Sequence, residues 1–101
     1  MSGHEQHEAQ LRAEAVAWRD RVSRDMTSAA GIAAMNQCQA SVDTVAALAD
    51  LVAGYTATGE ATLIEMPRGS SARAAAAFLI TRGFIARIGD NLRPIRDGEL
   101  I

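Results

Sequence analysis

A chain of 101 residues with a formal net charge of −2 fits one small domain, and folding at this size buries only about 60–65% of the surface its unfolded chain exposes. Nearly half the residues are apolar, but alanine carries that share, and the aromatic residues are only Trp18, Tyr55, Phe78 and Phe84. These figures exclude a membrane span, which needs roughly 20 consecutive apolar residues, and a disulfide framework, because Cys38 stands alone.

Alanine lines helix contacts without filling much volume. At roughly 0.8 kcal/mol per buried methylene, an alanine face stabilises far less than a leucine face, so a homo-oligomer is expected. The start of the chain, with His4, Glu5, Gln6, His7 and Glu8, lacks the basic-then-apolar pattern of an export signal. Together with the single cysteine, this predicts a cytoplasmic location. Charge is unevenly spread. Residues 1–59 hold four Arg against seven acids, whereas residues 67–96 hold six Arg against Asp90 alone. The basic last third points to an anionic partner.

From about residue 4 to 25 the apolar positions Leu11, Ala15, Trp18, Val22 and Met26 recur at helical spacing, so an amphipathic helix is expected. Glu8 with Arg12 and Asp20 with Arg24 are i,i+4 pairs that solvate its other face. Thr27 or Ser28 is placed to cap a second helix, whose stripe runs Ile32, Met35, Cys38 or Gln39, Val42, Val45, Leu48 or Ala49, Val52 and Tyr55. Ser41, Asp43 and Thr44 compete for backbone hydrogen bonds, leaving one long helix or two as alternatives.

Thr62 to Met66, stopped by Pro67, reads as a strand. Gly69-Ser70-Ser71 offers turn and N-cap chemistry for a helix from about Ala72 to Arg82, which Gly83 ends. Phe84 to Ile88, a Gly89-Asp90-Asn91 turn, and Leu92 to Ile95 then read as a β-hairpin, with Pro94 confining the second strand to an edge. The expected fold is a single α+β domain over 1–101, mainly α. Amphipathic helices over 1–58 form the oligomerising region through Leu11, Trp18 and Val22, and a strand-helix-hairpin module occupies 60–97.

Ser70-Ser71-Ala72-Arg73 opening a helix, Phe78-Leu79 inside it, and the run from Arg82 through Gly83 and Gly89 to Ile95 together resemble the recognition helix and wing of a winged helix-turn-helix domain. The likeness covers about a third of the chain. It implies a helix that enters the major groove from Ser70 and Ser71, with Arg73 reading bases and Arg68, Arg87 and Arg93 on the phosphate backbone. The chain departs from that family between Met66 and Ser70, which leaves no room for the short helix that precedes the recognition helix.

Other constellations are weaker. Pro67 to Ser71 places a helix start beside Arg68, a geometry suited to an anion, but N-capping by Ser70 or Ser71 accounts for the same residues. His4 and His7 are i,i+3 and lack the further ligands zinc takes, so no metal is expected. Cys38 lies on an apolar stripe, with no histidine outside the first seven residues to act as its base. Glu60 and Glu65 flank the strand and read as solvated edge carboxylates. No cofactor and no enzymatic activity are expected. The primary expectation is a DNA-associated regulator; the alternative is a protein-interaction module, an adaptor, inhibitor or assembly subunit. One structural feature separates them: Arg68, Arg73, Arg87 and Arg93 on one convex face favour DNA, and an apolar groove rimmed by them favours a protein.

Overall fold

The stripe Leu11, Ala15, Trp18, Val22 and Met26 is buried along its whole length in a computed structural model that describes residues 3–59 and 63–95. It lies on α1 (Gly3–Thr27), followed by α2 (Ala29–Cys38) and α3 (Val42–Thr58). β1 (Ile64–Glu65), α4 (Ser70–Thr81), β2 (Ile85–Ile88) and β3 (Asn91–Pro94) complete a mainly helical α+β fold with one three-stranded antiparallel sheet. α1 runs antiparallel to α3: Leu11 lies against Gly59, and further along Arg19 Nε donates to Asp50 Oδ1 at 2.7 Å. Of the two i,i+4 pairs read on the outer face of α1, Arg24 with Asp20 is formed.

The segment after α1 is two helices. Ser28, rather than Thr27, caps α2: its Oγ accepts from the Gly31 N–H at 3.0 Å. α2 ends at Gln39, which takes a left-handed φ of 57°, donating its N–H to Asn36 O while Ala40 donates to Met35 O. That paired pattern is a Schellman motif. Ser41 then starts α3 by accepting from the Thr44 N–H at 3.2 Å. The break resets the helical phase. Met35, Val45, Leu48, Ala49 and Val52 stay buried, whereas Ile32, Val42 and Tyr55, which one continuous stripe would place inside, are exposed.

The sheet order is β1-β3-β2, which corrects the expectation that Pro94 marks an edge strand. β3 is central. Ile88 pairs with Asn91 around the Gly89-Asp90 loop, and Ile95 N–H bonds Phe84 O at 2.9 Å. In this alternation Leu92 and Pro94 direct their backbone groups toward β1. Leu92 meets Ile64 there, and on the β2 side Pro94 stands opposite Ile85 at a position that makes no ladder hydrogen bond. A residue without an N–H therefore costs the β2–β3 ladder nothing. Of the strand expected over Thr62 to Met66, the described residues form β1 at Ile64 and Glu65; Thr62 lies outside the described residues.

Ile64, Ile85 and Leu92 turn to the helices and join Phe78 and Leu79 of α4 in the core. Trp18 is 2% exposed, its ring edge-on to Phe84 with centroids 6.4 Å apart, and its Nε1 donates to Phe84 O at 2.9 Å. Leu11, Trp18 and Val22 were expected at an oligomer interface. All three are buried within the chain itself.

Candidate binding groove

Gly69 precedes α4 with φ 101° and ψ 153°, a backbone region that side chains with a Cβ essentially do not enter. This turn moves the helix start two residues earlier than the sequence suggested. Ser70 and Ser71 become the first helical residues and are exposed, and no side chain caps α4. Capping by Ser70 or Ser71 is thus corrected. A residue already in helical conformation cannot fold its own hydroxyl onto the N–H groups ahead of it as an N-cap does.

α4 has two faces. Ala75, Ala76, Phe78 and Leu79 are buried, while Arg73, Ala77 and Ile80, at steps of four and three, line the adjoining side. That side opens onto a groove of ≈ 550 Å³. Its apolar floor comes from Met66, Pro67, Ala76, Ala77 and Ile80; its rim carries Arg68, Arg73 and Arg87, with Glu65 and Asp90 at the hairpin end. Backbone bonding fixes this geometry: Met66 N–H bonds Asp90 O at 3.0 Å, holding the β1–α4 connection against the hairpin loop. Arg87 Nε donates to Gly89 O at 3.0 Å, which orients its guanidinium beside the loop. The guanidiniums of Arg68 and Arg73 form no hydrogen bond or ion pair with the described residues.

The groove gathers three of the four arginines expected to act together. Arg93 is not among its lining residues. It pairs with Ala86 and alternates with the buried Leu92 and Pro94, so it faces the other side of the sheet. Arg82 is also removed from the basic surface. Its Nε and Nη2 donate to Asp25 at 2.8 and 2.7 Å, tying the end of α4 to α1. This hydrogen bonding, and then the carboxylate's charge, raises the Arg82 pKa above its ordinary value.

Sequence reading missed the apolar floor and both acidic residues of the rim. The floor had a usable signal, since Arg73, Ala77 and Ile80 fall on one helical face. Glu65 and Asp90 had none, because only the pairing of β1 with β3 brings them together. Among the described residues no three of His, Cys, Asp and Glu gather to hold a metal, and no helix is long and apolar enough to cross a membrane. The groove's lining contains guanidiniums, carboxylates and apolar carbon, a set suited to holding a ligand. Compared with known proteins, the chain matches no family model, no curated protein and no solved structure.

Proposed function

We infer that this chain is a non-enzymatic protein-interaction module whose working surface is the groove between α4 and the sheet. One observation carries the reading: Arg68, Arg73 and Arg87 line one concavity together with the apolar side chains of Met66, Pro67, Ala77 and Ile80, with Arg93 elsewhere. Nucleic acid attracts proteins through accumulated positive charge, and here three guanidiniums face two carboxylates on one rim. The helix side lining the groove offers Ala77 and Ile80 where base edges call for polar side chains.

A second reading, a DNA-associated regulator, is favoured by the β1-β3-β2 order with a hairpin directly after α4, and by exposed Ser70, Ser71 and Arg73 at an uncapped helix start. Fluorescence anisotropy with a labelled random-sequence duplex at about 50 and 200 mM salt separates the two. The protein-interaction reading expects no saturable binding. Micromolar binding that weakens steeply with salt, and drops in an Arg73→Ala, Arg87→Ala double variant, would replace it with the DNA reading.

A further inference from the structure

Resting on the protein-interaction reading, we propose that the groove takes a short acidic segment carrying a large apolar side chain. Its carboxylates sit at the α4 start and its apolar side chain on the alanine floor. The argument is charge and shape complementarity. At the α4 end, Arg68 and Arg73 stand within five residues of each other with no partner among the described residues, and the helix dipole adds positive potential there. Arg87 supplies a third positive group across the groove.

The floor sets the second requirement. Ala76 and Ala77 present no side chain beyond Cβ, and Met66 and Ile80 border them half-buried, so the concavity has depth for one apolar side chain. Glu65 and Asp90 at the hairpin end disfavour a uniformly acidic occupant and leave the apolar contact to complete the affinity. The helical part of the chain reinforces the choice of site: residues 1–59 hold four Arg against seven acids, which repels an acidic segment from that surface and steers it to the groove.

The test uses three labelled nine-residue peptide pools, each with a central Leu or Phe flanked by Asp/Glu, Asn/Gln or Lys/Arg, and a fourth acidic pool with Ser at the centre. Binding is read by anisotropy at low salt, with the random duplex alongside. Besides the native chain, two variants are measured: Arg73→Glu with Arg87→Glu, and Ala77→Trp, which fills the floor from an exposed helix position. Circular dichroism checks that both retain their fold.

The expected result is saturable binding of the acidic Leu/Phe pool. It should weaken about tenfold or more when the acids become amides, when the central residue becomes Ser, and in either variant, and it should decline with salt. Equal binding of the acidic Ser pool, or retained binding in Ala77→Trp, overturns the proposal, because charge alone would explain it. Preference for the amide or basic pool overturns the acidic partner while leaving a protein-binding groove. Duplex binding without peptide binding overturns both this proposal and the reading on which it rests. The absence of binding to any pool at millimolar concentration also overturns it. Concentration-dependent dimerisation that Ala77→Trp abolishes would make a second copy the occupant instead.

Discussion

The two ends of α4 are built in opposite ways. At its C-terminal end the backbone closes on itself and side chains tie it to the rest of the fold. Gly83 N–H bonds Ile80 O and Phe84 N–H bonds Leu79 O, a Schellman closure, with Gly83 at φ 78°. The Phe84 carbonyl then accepts from both Ile95 N–H and Trp18 Nε1, and the neighbouring Arg82 holds Asp25. At its N-terminal end Gly69 turns the chain with no side-chain cap, leaving Ser70, Ser71, Arg68 and Arg73 exposed. A saturated end fixes the helix to α1, and the unsaturated end is left open to solvent.

The largest effect should come from breaking the saturated end at its centre. Trp18→Ala removes a fully packed ring and strands half the acceptor capacity of Phe84 O, for a loss of about 3–5 kcal/mol. In a domain whose total stability is about 5–15 kcal/mol, thermal unfolding followed by circular dichroism should show a strongly lowered or absent transition. Trp18→Phe isolates the hydrogen bond and should cost about 1–3 kcal/mol. A native-like Tm in Trp18→Ala would mean that α1 and the hairpin are not joined through this residue.

Gly83→Ala comes next. The substitution forces a Cβ onto a left-handed backbone and should cost about 1–2 kcal/mol, which lowers Tm by roughly 4–8 °C per kcal/mol in a domain of this size. The other Schellman closure sharpens the contrast, because Gln39 makes it with a Cβ in place at φ 57°. Gln39→Gly should relieve that strain, stabilising the chain by about 0.5–1 kcal/mol and raising Tm. If both substitutions leave Tm unchanged, backbone strain at these closures is not what sets their stability.

This pair also shows what the sequence made legible. Gly83 announces its helix end because glycine is the usual residue for a left-handed closure, and the prediction there holds. Gln39 carries no such signal, so residues 27–56 could be read as one helix or two, and the inward direction of Ile32, Val42 and Tyr55 was misjudged with them. The stripe of α1 was readable from spacing alone, although spacing could not say that Trp18 and its neighbours pack within the chain. Pro94 suggested an edge because a residue without an N–H is safe there. A central-strand position whose backbone points away from its hairpin partner is equally safe in that ladder, and only the register of β2 with β3 reveals it. The groove was half legible: its arginines stand out by charge, whereas its alanine floor resembles any buried helix face until the direction of α4 is known.

The smallest effect on stability belongs to the open end, and there the contrast is most exposed to refutation. The Arg73 side chain is exposed and forms no hydrogen bond or ion pair with the described residues, so Arg73→Ala should change stability by no more than about 0.5 kcal/mol in either direction. Alanine is also the better helix former, which offsets any lost packing by the arginine stem. If α4 were closed at both ends, the same substitution would lower Tm measurably. An unchanged Tm combined with lost binding of the acidic apolar peptide would assign Arg73 to the partner and not to the fold, because a residue that supports the helix cannot be removed without a thermal cost. A fall of several degrees would instead mean that the first turn of α4 depends on Arg73, and that the saturated and unsaturated ends differ less than their hydrogen bonding indicates.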